Sequence, residues 1–279
     1  LTLAKVTPVQ ASATEFAYSK NDFSRVQALL FAKAGIRLNE SKDAMVYSRL
    51  VRRLRALGID SFDSYLSLVQ TSKDEEEQFI NALTTNLTAF FREAHHFSLL
   101  KAHLRASPNV RRIWCAASST GEEPYSIAMT VAAAYRSFDT PVSIIATDID
   151  SHVLDTADKG IYSIERAKQL PAGYAKQFLF RGKGSHAGKV KVVDEIRRMV
   201  TFMPLNLTAT HWPLPQSFDV IFCRNVMIYF EPKTQREILA KMVNRLTPKG
   251  LYFAGHSENF TMHTDLVRSV GNTVYIPVK

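Results

Sequence analysis

Residues 113–150, "IWCAASSTGEEPYSIAMTVAAAYRSFDTPVSIIATDID", decide the fold. An apolar strand-like run, Ile113 to Ala117, ends in the small residues Ser118, Ser119, Thr120 and Gly121. A helix is expected at once. Thr120 with Glu123, or Ser119 with Glu122, has capping-box spacing, and Pro124 suits a first helical turn. Tyr125, Ala128, Val131/Ala132 and Tyr135 then recur at helical period. A second apolar run, Val142 to Ala146, leads to Asp148. Strand, tight turn, helix, strand and acid make the first unit of a doubly wound α/β sheet. In such sheets a ligand sits at the carboxyl ends of the strands, and the acid ending the second strand takes a ribose hydroxyl pair. The stretch therefore predicts a nucleoside-containing ligand.

The same stretch narrows the ligand. Gly121 stands alone, with no G-x-G-x-x-G, and no G-x-x-x-x-G-K-[ST] occurs in the chain, so no phosphate cradle is expected. Two glutamates at a helix start repel a pyrophosphate and suit a cationic ligand. S-adenosylmethionine fits: it has no phosphate, carries a sulfonium, and offers a ribose, an amine and a carboxylate. The competing reading is that Glu122 and Glu123 only cap the helix, and spacing alone does not choose between the two.

The 279 residues have room for two domains or one large one, and 46% of them are apolar, as in ordinary globular proteins. No run reaches the ~18 apolar residues of a membrane span, and the first residues lack a charged-then-apolar signal pattern. Cys115 and Cys223 lie in apolar, strand-like runs without C-x-x-C spacing, which supports neither a disulfide framework nor a zinc site. These features predict a soluble, cytoplasmic protein. The formal charge of +9 is uneven, because residues 159–198 hold 10 Lys/Arg against 3 Asp/Glu. Such a basic stretch calls for an acidic partner.

Residues 1–20 read as irregular. Short helices follow: one capped by Asp22 and stopped by Gly35, one from about Ser41 to Leu57, and two more around residues 62–70 and 74–83. In the second, Met45, Leu50, Leu54 and Leu57 form the expected inner face. Lys42, Arg49, Arg52, Arg53 and Arg55 form a basic outer face, expected to be a partner site rather than only a solvated surface. In "TTNLTAFFREAHHF", Thr88, Phe90 and Phe91 look like a buried linker that aims Arg92 into a cleft. His95 and His96 are adjacent, and adjacent side chains do not share a helix face, so no metal site is expected. Ser151 is expected to cap a helix ending at Gly160. The alternation of Phe178, Phe180, Val190 and Val192 around a Gly-rich turn predicts a hairpin within the basic stretch. Further strands are expected at 200–205, at 218–223 and after Gly250, with a closing strand in "NTVYIPV" and a helix from Pro232 to Leu246. Strands alternating with helices predict a mostly parallel sheet.

Five segments in this order, "TTNLTAFFRE", "STGEEPYSIA", "ATDID", "FCRNVMIYF" and "GLYFAGHSENF", resemble the chemotaxis receptor glutamate methyltransferases, the CheR family. The resemblance runs from about residue 21 to near the end of the chain. It implies an all-helical N-terminal domain (1–84), a linker (85–97), and a Rossmann-like class I S-adenosylmethionine-dependent methyltransferase domain (98–279). An antiparallel β-subdomain would interrupt the last of these at about 161–198. It further implies a monomer that esterifies glutamate side chains of membrane chemoreceptors.

Carried over by motif, the resemblance implies cofactor contacts at Asn86, Thr88, Arg92, Glu123, Asp148, Asn206, Leu207, Arg224 and Asn225, with Tyr229 near the transferred methyl. The roles that follow are specific. Asp148 would hold the ribose, Asn206 and Leu207 would border the adenine, and Glu123 would face the ammonium. Arg92 would clamp a carboxylate, and Arg92 and Tyr229 would be the catalytic pair. Arg49, Arg52, Arg53 and Arg55 would lie along the receptor's helices. Arg181, Gly182, Gly184 and Gly188, in the Gly-rich hairpin, would take a receptor C-terminal peptide. The rival reading, a nucleic-acid methyltransferase, is favoured by a pI near 9.5. It is disfavoured by Arg224-Asn225-Val226, where a proline-aromatic base-binding motif would stand.

Overall fold

The computed structural model describes residues 15–278, so the irregular reading of the first 14 residues lies outside the described residues. The described residues form two compact units, 15–29 with 38–83, and 30–37 with 84–278.

In the first unit the helices are α1 (Lys20–Ala34, its last turn counted with the second unit), α2 (Asp43–Leu57), α3 (Phe62–Thr71) and α4 (Lys73–Leu83). Helix α1 begins earlier than a cap at Asp22 would place it. Asp22 is instead the acid of a capping box: its N–H donates to Ser19 Oγ at 3.2 Å, and Ser19 N–H donates to its carboxylate at 2.9 Å. The inner face of α2 is Val46, Leu50, Val51 and Leu54. Met45 is only half-buried and Leu57 is 41% exposed, which corrects the expected stripe by one position.

The expected arginine face is also corrected. Arg53 turns inward and pairs bidentately with the buried Glu75, at 3.0 and 2.6 Å, while Tyr65 donates to the same carboxylate at 3.0 Å. Half-buried Arg49 donates to Ala82 O at 3.2 Å, and Arg55 pairs with Glu15. Arg52 stands exposed. Acids distant in sequence pair with two of these arginines, Arg53 and Arg55, and a scan of the helix's own residues cannot see them.

The second unit runs α5 (His95–Ala106), β1 (Arg112–Cys115), α6 (Glu122–Tyr135), β2 (Ser143–Asp148) and α7 (Ser151–Lys159). It continues with β3 (Ile161–Ser163), α8 (Ile164–Ala167), α9 (Tyr174–Phe178), β4 (Leu179–Arg181), β5 (Lys189–Val192) and α10 (Asp194–Arg197). It closes with β6 (Val200–Pro204), β7 (Phe218–Cys223), α11 (Pro232–Val243), β8 (Leu246–Ala254), β9 (Val267–Gly271) and β10 (Val274–Pro277). The main sheet has the order β6-β2-β1-β7-β8-β10-β9. The first five of these strands pair in parallel, and β10 and β9 are antiparallel. From β1 the chain passes to β2 on one side and reaches β7 on the other, so the topological switch point lies at the carboxyl end of β1.

Strand periodicity divides the core. Ile113, Cys115, Val220 and Phe222 face one cluster with α5 and α6, whereas Trp114, Ile221, Cys223 and Tyr252 face another with α11. Cys115 and Cys223 are buried free thiols. Strand β9 had no sequence signal, because four of its five residues are exposed on a sheet edge. The insertion is a three-stranded antiparallel sheet, β3-β5-β4. Phe178 belongs to α9 rather than to the expected strand, and β3 supplies a strand that the alternation did not reveal. No helix among the described residues is long and apolar enough to cross a membrane.

Candidate active site

The functional segments meet at the carboxyl ends of β1, β2, β6 and β7. After β1 the chain turns through Ser119 (φ +47°) and Gly121 (φ +97°) into α6. No capping box forms. Gly121 is the residue before the helix, and both glutamates are buried and engaged elsewhere. Glu122 pairs with Arg166 from the insertion and accepts from Thr120 Oγ1 at 2.7 Å. Tyr162, also from the insertion, donates to Thr120 O at 2.7 Å. A Cβ on Gly121 would lie 2.7 Å from the Tyr162 hydroxyl and 2.8 Å from Ala157 Cβ, so the turn requires glycine for space as well as for φ.

Asp148 ends β2, 9% exposed. One of its oxygens accepts Ser119 N–H at 2.8 Å and the other accepts Asp150 N–H at 3.0 Å, which leaves lone pairs free for a diol. Burial pushes its carboxyl up to about 6 despite these backbone donors. Asp150 is spent on structure. It caps α7 through His152 and Val153 N–H, the position expected of Ser151, and accepts from Thr84 Oγ1 at 2.8 Å and Asn86 Nδ2 at 2.7 Å. Asn86 thereby ties its segment to β2, and its carbonyl accepts from Ser119 Oγ at 3.2 Å.

Arg224, fully buried after β7, pairs with Glu123 and, at 3.1 Å, with Glu93, and donates to Arg92 O at 2.7 Å. Burial alone would lower its pKa, but the two carboxylates outweigh burial and raise it. Two carboxylates on one guanidinium leave the cluster with one net negative charge. Glu123 therefore does more than cap a helix. Its carboxylate is held by Arg224, an engagement that the expected role toward an ammonium did not include.

Arg92 is half-buried and donates to Leu87 O at 3.0 Å. Thr88, Asn225 and Tyr229 are half-buried, and Asn225 adopts φ +58°. Asn206 follows β6 with its side chain committed: Nδ2 donates to Lys33 O, and Oδ1 accepts from Thr208 N–H and Oγ1. Leu207 is buried in the core. The hairpin residues Arg181, Gly182, Gly184 and Gly188 lie on β4 and the turn between β4 and β5.

Sequence reasoning gave no role in the site to three residues. Glu93 (φ +58°) shares Arg224 and accepts from His256 N–H at 3.2 Å. Glu258, 4% exposed, accepts from the backbone N–H groups of Val226, Met227 and Gly255 at 2.9, 2.8 and 2.6 Å. His96 is fully buried and donates from Nε2 to Asn272 O at 2.9 Å; burial lowers its pKa to about 4 and keeps it neutral. Their one prior signal was membership of "FREAHHF" and "GHSENF".

Contrary to the expectation for adjacent histidines, Glu93, His95 and His96 bring ligand-type atoms within 4.8 Å of one another, because His95 opens α5 and Glu93 turns back before it. The Glu93 carboxylate already pairs with Arg224, and a metal ion would have to displace that guanidinium. Glu93 serves the anion–guanidinium cluster instead.

The donor set matches S-adenosylmethionine part by part: a buried carboxylate for a ribose diol, a net-negative cluster for cationic groups, and a half-buried guanidinium at Arg92 for a carboxylate. A Rossmann-like sheet with such a site at its switch point is that of a class I methyltransferase. Comparison with known families agrees. The CheR methyltransferase SAM binding domain matches residues 86–276, and the CheR methyltransferase all-alpha domain matches residues 21–84. The chain is 53% identical over 266 residues to chemotaxis protein methyltransferase 2 of Pseudomonas aeruginosa, covering 94% of this chain and 95% of that protein. It is 49% identical over 261 residues to the chemotaxis protein methyltransferase of Escherichia coli, covering 93% and 91%. The chain belongs to the CheR family and is an S-adenosylmethionine-dependent methyltransferase of the chemotaxis type.

Proposed function

We propose that the chain methylates glutamate side chains in the cytoplasmic helices of membrane chemoreceptors, giving 5-O-methyl esters, and that it acts in the cytoplasm as a monomer. The observation that carries this reading is the intact strand-end site: every position that the family resemblance assigns to cofactor or methyl transfer is occupied by the expected residue. When bound, S-adenosylmethionine supplies an electrophilic methyl on a sulfonium. A glutamate carboxylate, with an ordinary pKa of ~4.3, is already the nucleophile at neutral pH, so the reaction needs no general base. The protein's work is positioning, worth ~7–11 kcal/mol in favourable cases. Asp148 and the Arg224 cluster fix the cofactor, Arg92 clamps a carboxylate of cofactor or substrate, and Arg224, Asn225 and Tyr229 line the floor where methyl meets glutamate.

Receptor engagement is proposed at two places. Arg52, the exposed member of the α2 arginines, faces the receptor helices together with the solvent-side edges of Arg49 and Arg55. The insertion takes the receptor's acidic, aromatic-ended tail as an added strand on β4, an edge strand whose Phe180 is 57% exposed and which lies among basic residues. The test uses tritiated S-adenosylmethionine with a receptor cytoplasmic fragment, and with RNA in parallel. Base-labile label on the receptor supports the reading. Label on RNA, or none on either, overturns it. Micromolar binding of the tail peptide that is lost on deletion of residues 182–188 supports the docking site, and full binding by the deletion variant removes it.

A further inference from the structure

The segment Arg224–Tyr229 leaves β7 carrying three of the site residues, yet its two halves are held by different means. Arg224 is locked by Glu123, Glu93 and Arg92 O. The rest is held by Asn225 Nδ2 donating to Glu93 Oε1 at 3.4 Å, by Arg37 N–H donating to Tyr229 O at 3.0 Å, and between them by Glu258, which reaches across from just beyond β8. Its Oε1 accepts from both Val226 and Met227 N–H, at 2.9 and 2.8 Å, and its Oε2 accepts from Gly255 N–H at 2.6 Å. The two bonded amides lie between Asn225 and Tyr229. The approach is as close as the chain allows, since a Cβ on Gly255 would lie 2.5 Å from Asn225 Nδ2, 2.8 Å from Asn225 N and 2.9 Å from Glu258 Oε2.

Three convergent backbone donors are a demand that a carboxylate meets and a carboxamide cannot, because the amide nitrogen of a glutamine would face an N–H. Burial pushes the Glu258 carboxyl up in spite of its backbone donors, so the fold holds this group in the interior at a cost. A role in packing alone does not call for a buried carboxylate. Holding a loop to one fixed geometry does, here one that begins with Asn225 in the left-handed region at φ +58°.

We propose that Glu258 is a positioning residue for methyl transfer, fixing the Asn225–Tyr229 loop against the end of β8 while the cofactor remains held by Asp148 and the Arg224 cluster. The inference rests on the methyltransferase reading above. It predicts a split between the transfer step and cofactor affinity, because Glu258 touches neither Arg224 nor Asp148.

The test is Glu258→Gln, with wild type in the same assay so that the reading itself is checked first: base-labile methyl incorporation into a receptor fragment by wild type must be present. At saturating cofactor and receptor, kcat of the variant is expected to fall about 10–100-fold, the penalty of misplacement by an ångström or less. The dissociation constant for S-adenosylhomocysteine, from calorimetry, is expected to stay within about 3-fold, against a cofactor pocket left intact. Amide exchange at Val226, Met227 and Gly255 should accelerate while that of β1 and β7 does not. Unchanged kcat with faster local exchange would reduce Glu258 to a structural role and overturn the proposal. So would parallel losses of kcat and homocysteine-product affinity, which would place it in the cofactor pocket. Should Glu258→Gln not fold, Gly255→Ala attacks the same contact from the opposite side and carries the same expectations.

Discussion

Asp148 should make cofactor affinity depend on pH in a defined window. Its carboxyl is raised to about 6 by burial. The raised value places a cost on the ligand-free fold: from 3.8 to about 6 is roughly 2 units, about 3 kcal/mol at 1.36 kcal/mol per unit. The sign follows from linkage. A carboxyl whose folded value lies above its unfolded value contributes stability that is complete below the unfolded pKa and is lost as pH rises through about 6. The ionised group therefore destabilises the ligand-free protein at neutral pH, and a diol donating two hydroxyls is what the ionised form lacks. If only the ionised form accepts the ribose, the bound fraction available is ~0.9 at pH 7 and ~0.1 at pH 5, a tenfold loss in affinity or about 1.4 kcal/mol. The assay is calorimetric titration with S-adenosylhomocysteine at pH 5, 6 and 7, in buffers of differing ionisation enthalpy. At pH 6 about half a proton should be released per ligand bound. Asp148→Asn should bind more weakly at pH 7 and show no dependence across this range. A wild-type affinity flat from pH 5 to 7, or an unaltered slope in Asp148→Asn, would refute the assignment of Asp148 to the ribose.

Other expectations can be checked by simpler means. Gly121→Ala puts a methyl group 2.7 Å from Tyr162 Oη and 2.8 Å from Ala157 Cβ at a residue with φ +97°. It should lower stability by about 2–4 kcal/mol in urea unfolding and abolish product binding by the molecules that remain folded. Arg53→Ala strands Glu75 in the helical unit's interior and should destabilise that unit by about 2–3 kcal/mol, the lower end for a pair whose arginine is partly exposed. Arg52→Ala should leave thermal unfolding unchanged while weakening receptor methylation, and a stability loss in Arg52→Ala equal to that of Arg53→Ala would remove the distinction. Arg92→Lys keeps the charge but loses the planar fork, so methylation should fall with the fold intact by circular dichroism. Full activity in that variant would end the clamp role.

What the sequence disclosed, and what it withheld, divides along a physical line. Strand-end residues were legible because a parallel sheet sends consecutive strands to one edge, so that Ser118–Gly121, Asp148, Asn206 and Arg224 had to converge once the strands were placed. Local capping was read less well. Ser119–Glu122 and Thr120–Glu123 have capping-box spacing, but the turn before α6 takes a left-handed glycine, and its two acids answer to Arg166 and Arg224 instead. The partners of Arg53 and Arg55 were hidden for the same reason: spacing along one helix cannot reveal Glu75 or Glu15.

Glu93 and Glu258 were not singled out, because a carboxylate in a loop is ordinarily solvated and nothing in its neighbours announces burial. Their burial is explained by what they bind. Glu258 holds only backbone amides, a role open to any loop acid that the fold brings close enough. Glu93 adds a second carboxylate to a guanidinium that one would have neutralised, and the surplus charge is unfavourable unless something positive completes it. A sulfonium cofactor carries that charge, and its charge disappears when the methyl leaves. An environment with one excess negative charge thus favours the substrate form of the cofactor over its neutral-sulfur product. Glu93→Gln should accordingly narrow the preference for S-adenosylmethionine over S-adenosylhomocysteine, measured as the ratio of their dissociation constants. An unchanged ratio would mean that the excess charge is compensated within the protein.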